Sequence, residues 1–277
     1  RRYDKLVNAV LRRVASEGGA IRAKLDGARL DIPAWLFARW ERHYGESIAR
    51  EIAASSLAEP ALDISVKADA ADWATRLSGL ALPTGTVRVQ QAGRVEDLPG
   101  YGEGAWWVQD AAAALPVRLL GNVRGLAVAD LCAAPGGKTA QLAAAGADVT
   151  AVDLSGRRLL RLSANLARLG LTVATVEADV AAWSADAAQA GQFDAVLLDA
   201  PCSATGTIRR HPDLLHNKDE AEIERLAAKQ GQLLAAAAAL VKPGGRLVYV
   251  TCSLEPEEGE AVVTAFVSQN PNFKVAA

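Results

Sequence analysis

The sequence predicts an α/β protein with a doubly wound, mostly parallel sheet of the Rossmann-like type, preceded by a small α+β domain. From Trp106 onward, short apolar runs without polar alternation are separated by stretches of helical periodicity. Apolar strands that alternate with helices indicate a parallel sheet covered on both faces. The predicted strands are 126–131, 149–152, 172–176, 195–198 and 246–250, and the predicted helices lie near 138–145, 156–169 and 220–241.

The first hundred residues show a different pattern. Residues 3–15 place apolar side chains at helical spacing, and the pair Gly18-Gly19 predicts the end of that helix. Residues 33–57 are typical of two helices that are separated at Gly45. Strands at 62–66 and 86–89 with a helix at 70–79 form the small α+β unit. We therefore expect three parts, with bounds at residues 1–19, 20–104 and 105–277.

Composition limits the possible classes of protein. With 277 residues, of which 51% are hydrophobic, the chain can bury a large core. The net charge of −2 means that any nucleic-acid contact needs a local basic surface. Three cysteines without CxxC spacing argue against a disulfide framework or a zinc site. No apolar stretch reaches the roughly 20 residues that span a bilayer. We expect a cytoplasmic monomer without metal or membrane contact.

The segment from Asp130 to Gly137 is the candidate cofactor loop. Asp130 ends a predicted strand, and a turn with two glycines precedes the next helix. Ligands of doubly wound sheets bind at such a turn. The sequence is neither GxGxxG nor GxxxxGK[ST], so a dinucleotide fingerprint and a P-loop both fit poorly.

Acidic residues follow the next two predicted strands. Asp153 is placed to bind ribose hydroxyls, and Asp179 to accept a hydrogen bond from an adenine amino group. These carboxylates suggest a nucleoside ligand without pyrophosphate. The alternative is a plain α/β core in which the acids cap helices.

Two cysteines each come just after a predicted strand, in the segments 199–203 (DAPCS) and 251–253 (TCS). The C5 atom of cytosine is too poor a nucleophile to take a methyl group unaided. A thiolate that adds to C6 makes C5 enamine-like and able to attack. The pattern therefore predicts covalent chemistry on a pyrimidine ring with a bound methyl donor, although either cysteine alone is more typical of buried packing.

Five blocks resemble the Fmu/Sun family of ribosomal RNA cytosine-5 methyltransferases, the family of ribosomal RNA small-subunit methyltransferase B. In chain order they are YDKLVNAVLRR (3–13), WWVQDAAAAL (106–115), DLCAAPGGKT (130–139), DAPCSATGTIRRHPDL (199–214) and PGGRLVYVTCSLEPEEGE (243–260). The resemblance implies that residues 1–19 are the last helix of a NusB-like domain and that the chain lacks the C-terminal strands of the catalytic domain.

The resemblance also assigns roles to residues. It implies that Cys252 is the nucleophile and that Cys202 assists product release. Asp199 would position the base, and Lys138 would contact the base or lower a thiol pKa. The residues that it implies for S-adenosylmethionine are Cys132, Ala133, Ala134, Pro135, Gly136, Gly137, Lys138, Asp153, Asp179 and Asp199.

The expected partner is RNA, foremost small-subunit (16S) ribosomal RNA. Transfer RNA methylation and a catalytically silent RNA-binding or assembly module are the alternatives. Arg209 and Arg210 are candidate phosphate contacts, although a solvated basic turn fits equally well. Trp106 and Trp107 fit core packing better than base stacking. The acidic stretch 255–260 predicts a helix start, and we assign it no catalytic role.

Overall fold

The computed structural model describes residues 3–90, 93–186 and 188–276. The helices are α1 (Asp4–Arg22), α2 (Gly27–Leu30), α3 (Ala34–Tyr44), α4 (Glu46–Ser56), α5 (Ala70–Arg76), α6 (Ala111–Leu119), α7 (Gly137–Ala144), α8 (Gly156–Arg168), α9 (Val180–Ser184), α10 (Leu214–Asn217), α11 (Glu220–Ala239) and α12 (Glu260–Gln269). The strands are β1 (Leu62–Val66), β2 (Leu80–Ala81), β3 (Thr86–Val89), β4 (Trp106–Val108), β5 (Ala127–Leu131), β6 (Asp148–Asp153), β7 (Ala174–Glu177), β8 (Phe193–Asp199) and β9 (Val241–Val250). Short 3-10 helices lie at Val95–Asp97, Thr205–Thr207 and Pro256–Glu258.

The chain forms two compact units. The first consists of Arg1–Glu59 and Thr207–Glu220, and the second of Pro60–Gly206 and Ala221–Ala277. These bounds differ from the predicted ones after residues 19 and 104, since the division along the first part of the chain lies between Glu59 and Pro60. One segment far along the chain, 207–220, also belongs to the first unit. The division into three domains stays a prediction.

Between residues 3 and 59, the first unit consists of the helices α1 to α4 and their short connections. The predicted helix end at Gly18-Gly19 is wrong, because α1 continues through both glycines to Arg22. Glycine in a helix interior costs only about 1 kcal/mol and does not by itself end a helix. The predicted break at Gly45 is confirmed, since this residue has a φ of +81° between α3 and α4.

The second unit contains a small antiparallel sheet with the strand order β2-β3-β1-β4. Arg88 on β3 pairs with the buried Asp63 on β1 through two contacts of 2.7 and 2.8 Å. Burial is the largest single effect and would raise the pKa of Asp63, but Arg88 and the hydrogen bond from the Ala111 amide together outweigh it and hold that pKa below its usual value. Trp106 and Trp107 on β4 are buried, which confirms the core interpretation. Because β4 pairs with β1, this sheet extends past the predicted boundary at residue 104.

The predicted doubly wound sheet is confirmed as a five-stranded parallel sheet with the order β7-β6-β5-β8-β9. β9 begins at Val241, five residues before the predicted start, because Val241 already pairs with Phe193 across a register shift. The carboxyl ends of these parallel strands lie along one edge of the sheet. The candidate site is built at this edge. In the described ranges, none of the helices is long and apolar enough to cross a lipid bilayer.

Candidate active site

The loop after β5 is a tight turn that leads into α7. Gly136 has a φ of +102°, and a Cβ there would lie 2.8 Å from Cγ of Leu162. Both the backbone conformation and the lack of space therefore favour glycine at this position. The amide of Gly136 donates to the carbonyl of Ala133 over 2.9 Å, and the amide of Ala133 donates to Val152 over 3.1 Å. The turn thus lies against the end of β6.

Asp153, the last residue of β6, holds the cofactor loop in place. Its side chain is buried, and its two oxygens accept hydrogen bonds from the amides of Ala134 (3.1 Å) and Ser155 (3.0 Å). The guanidinium of Arg158 lies 3.3 Å from the same carboxylate. The structure therefore brings Asp153 to the predicted loop.

Asp179 lies after β7 and is exposed. Its Oδ1 accepts hydrogen bonds from the amides of Ala181 (2.9 Å) and Ala182 (3.1 Å), so this carboxylate caps α9. Helix capping, which the sequence left open as an alternative, therefore occurs at this position. A contact with adenine stays a prediction.

The strand order places the predicted cofactor residues in a row. Asp179 follows β7, Asp153 ends β6, the loop that starts at Cys132 follows β5, and Asp199 ends β8. Carboxylates accept hydrogen bonds from the hydroxyl and amino groups of a nucleoside, whereas a polyphosphate would meet like charge. This set of hydrogen-bond acceptors fits a nucleoside with a cationic group.

Lys138 joins the cofactor loop to β8. Its ammonium lies 2.8 Å from Oδ2 of Asp199, and its side chain is mostly buried. A charge-assisted hydrogen bond in a partly buried position fixes the orientation of both groups. The structure thus brings together two residues that are far apart in the sequence.

Cys202 and Cys252 lie side by side, with 3.4 Å between their sulfur atoms. Cys202 follows β8 and is half-buried, whereas Cys252 follows β9 and is exposed. β8 and β9 are parallel neighbours, so their carboxyl ends meet at the same edge. The two predicted cysteines therefore form one thiol pair.

The two thiols differ in acidity. The pKa of Cys252 lies below its ordinary value, chiefly because the Cys202 thiol donates a hydrogen bond to its sulfur. Burial and Asp199 oppose this effect, and Lys138 supports it. The same hydrogen bond, together with burial, raises the pKa of Cys202. Cys252 is therefore the member of the pair that ionises first.

Cys132 behaves differently from this pair. Burial, followed by the charges of Asp153 and Asp199, raises the pKa of Cys132 to about 12. A thiol of this kind stays protonated and is a poor nucleophile. Its predicted contribution to the site is through the backbone of the loop.

Arg209 and Arg210 are half-buried and lie in the first compact unit, whereas the thiol pair lies in the second. A phosphate-binding role for them stays a prediction. In the three described ranges, no group of three or more His, Cys, Asp and Glu side chains is arranged to hold a metal ion.

Sequence reasoning missed Glu258, a fully buried carboxylate beside the two cysteine loops. It belongs to the acidic stretch 255–260, which does precede a helix, since α12 begins at Glu260. An acidic run gives no sign of which member is buried. The one signal that the sequence offered was the position of Glu258, six residues after Cys252.

Comparison with known proteins identifies the family. The model of the 16S rRNA methyltransferase RsmB/F family matches residues 118–277. Ribosomal RNA small subunit methyltransferase B of Citrobacter koseri is 37% identical over 280 residues, which cover 96% of this chain and 65% of the relative. The protein of that name from Salmonella arizonae is 46% identical over 188 residues, 67% of this chain and 44% of the relative.

A solved structure supports the same relationship. The crystal structure of a methyltransferase homolog protein from Pyrococcus horikoshii has a TM-score of 0.72 and 29% identity, and the match covers 84% of this chain and 77% of that one. Of the two curated relatives named above, the chain spans 44% of the length of the Salmonella arizonae protein and 65% of that of the Citrobacter koseri protein. The resemblance expected from the motifs is confirmed, and the chain belongs to the 16S rRNA methyltransferase RsmB/F family.

Proposed function

We propose that this chain transfers a methyl group from S-adenosylmethionine to C5 of a cytosine in RNA, with small-subunit ribosomal RNA as the foremost substrate. The observation that carries the proposal is the thiol pair, whose sulfur atoms lie 3.4 Å apart. The choice of RNA follows the family and the names of the relatives.

The loop Cys132–Lys138 with Asp153, Asp179 and Asp199 would hold S-adenosylmethionine. The carboxylate acceptors at the sheet edge fit a nucleoside that carries a positive charge. When bound, this cofactor supplies an electrophilic methyl group.

Cys252 begins the reaction on the base. Its thiolate adds to C6, which forms a C–S bond and moves the electrons of the C5–C6 double bond toward C5. Asp199 accepts a hydrogen bond from the amino group of the cytosine. Its partner Lys138 places a positive charge where negative charge develops on the ring.

Cys202 ends the reaction. After C5 has gained the methyl group, Cys202 loses its thiol proton to solvent, and the resulting thiolate takes the C5 proton. The released electron pair restores the C5–C6 double bond, and the C–S bond breaks to free Cys252 as a thiolate. Adduct formation also removes the negative charge on Cys252 that raises the pKa of Cys202. Cys202 thereby becomes easier to ionise at the step that needs a base.

Two alternatives remain testable. Transfer RNA could replace ribosomal RNA as the substrate without any change in this chemistry. A silent RNA-binding module would not need two thiols in contact beside a Lys–Asp pair, so the geometry favours an enzyme.

The test uses labelled RNA, S-adenosylmethionine and denaturing gel electrophoresis. Cys252→Ala should abolish methyl transfer and form no adduct, because no other group activates C5. Cys202→Ala should accumulate a denaturant-stable protein–RNA adduct. Ser268→Ala, which removes an exposed hydroxyl on α12, serves as the control. An adduct from Cys252→Ala and none from Cys202→Ala would mean that the roles are reversed.

A further inference from the structure

A buried polar cluster lies behind the thiol pair. We define the Glu258 cluster as Ser203, Gln230, Tyr249, Ser253 and Glu258. The side chains of Ser203, Gln230 and Glu258 are fully buried, at 0% exposure. They come from the loop after β8, from α11 and from the 3-10 helix that follows Cys252.

Glu258 is the centre of this cluster. Its Oε1 accepts hydrogen bonds from the amide of Ser203 (2.8 Å) and from Nε2 of Gln230 (2.9 Å). Its Oε2 accepts the hydroxyl of Ser203. All of these donors are neutral groups, so hydrogen bonds from them offset the loss of water around the buried Glu258 side chain. Burying a carboxylate is costly even when it is hydrogen-bonded.

The cluster holds Cys202 from both sides. Gln230 donates to the carbonyl of Pro201, which precedes Cys202, over 2.9 Å. Ser203, which follows Cys202, donates to the Glu258 carboxylate through both its amide and its hydroxyl. Tyr249 donates toward the carbonyl of Glu258 (2.6 Å) and also lies 3.1 Å from Oε1 of Gln230.

The same cluster reaches the other cysteine. The hydroxyl of Ser253, next to Cys252, lies 3.0 Å from the hydroxyl of Ser203. Glu258 itself follows Cys252 in the same chain segment. Its side chain therefore fastens the Cys202 loop to the Cys252 loop, in addition to the backbone hydrogen bond of 2.9 Å from the Gly206 amide to the Cys252 carbonyl.

We propose that Glu258 is a positioning residue that holds Cys202 against Cys252 and thereby sets the rate of product release. This inference rests on the proposed function. Adduct formation needs Cys252 alone, whereas release needs Cys202 within reach of C5 while Cys252 is bonded to the adjacent C6. A loosened Cys202 loop should therefore slow release more than methyl transfer, since a displacement of about 1 Å can cost about a hundredfold in rate.

The experiment compares Glu258→Ala with Glu258→Gln, with Cys202→Ala as the reference. Glu260→Ala, an exposed member of the same acidic stretch, is the matched control. Single-turnover methyl transfer and the denaturant-stable adduct are measured on the whole chain. For Glu258→Ala we expect about tenfold more adduct than in the unmodified chain, with methyl transfer within about threefold.

Glu258→Gln should rescue most of this defect. Its carbonyl oxygen can accept the donors that now meet Oε1, and its amide can donate to the hydroxyl of Ser203, which also accepts. If Glu258→Ala does not fold, Ser203→Ala removes one contact with Glu258 and should shift the ratio of adduct to product in the same direction.

Alkylation of Cys252 by iodoacetamide, located by mass spectrometry, gives a second readout that needs no RNA. In Glu258→Ala the pH midpoint of the Cys252 alkylation rate should rise by about half a unit or more, because the hydrogen bond from Cys202 to Cys252 is weakened. An unchanged midpoint, or an equal loss of adduct and methyl transfer, would overturn the proposal. If Cys202→Ala forms no adduct while the midpoint does shift, the cysteine roles fail and the positioning role stands.

Discussion

Asp130 carries an ionisable group in the centre of the sheet, and its replacement by asparagine should change the pH dependence of stability. The side chain is fully buried, and Oδ2 accepts the hydroxyl of Thr139 over 2.6 Å. Oδ1 has no hydrogen-bond partner among the described residues. Burial is the main cause that raises the pKa of Asp130 to about 7, and the neighbouring Asp199 adds to it.

The direction in which pH changes the free energy of unfolding follows from proton binding by Asp130. Between the ordinary carboxyl pKa and about 7, the folded chain keeps the Asp130 proton that the unfolded chain loses. The free energy of unfolding therefore falls as pH rises, by about 1.4 kcal/mol per pH unit within this window. Between about pH 5 and about pH 8, the ionisation of Asp130 lowers the free energy of unfolding by about 2–3 kcal/mol. Asparagine cannot ionise, so Asp130→Asn should lack this loss.

Urea denaturation of both proteins at the two pH values tests the prediction. The stability difference between the unmodified chain and Asp130→Asn should move in favour of the variant by about 2–3 kcal/mol at the higher pH. Asp148→Asn, an exposed carboxyl at the start of β6, is the control and should leave the pH dependence unchanged. Parallel pH profiles for the unmodified chain and Asp130→Asn would refute the reasoning.

Two further predictions concern the site. In Gly206→Ala, the new Cβ would lie 2.8 Å from the backbone oxygen of Cys252 and must displace that loop, so methyl transfer should fall by about tenfold or more. Gly231→Ala is the control: apart from its own helix backbone, the described part of the chain places no atom within 4 Å of the new Cβ, so the rate should not change, and equal rates for the two variants would contradict the prediction. Asp153→Ala removes the carboxylate that the amides of Ala134 and Ser155 donate to, and should weaken S-adenosylmethionine binding by about 1–3 kcal/mol in calorimetry. Equal affinity would mean that Asp153 does not belong to the cofactor site.

Much of the parallel sheet could be predicted because its strands contain or border short apolar runs, and such a run is set by local composition. The exact bounds of β9 could not, because its first pairs lie beyond a register shift next to Phe193. The end of α1 was also missed. A glycine pair weakens a helix, but whether the helix stops depends on a small energy balance that local pattern does not reveal.

The motifs determined which residue types lie at the sheet edge: a glycine turn, strand-end acids and two cysteines that follow strands. Their chemical nature and their order along the chain are local properties. Tertiary structure decided the rest, because distance and burial depend on which strands are neighbours. The pairing of β8 with β9 brings Cys202 within 3.4 Å of Cys252 and makes their acidities unequal. The burial of Glu258 between the two cysteine loops likewise arises only when these segments pack together.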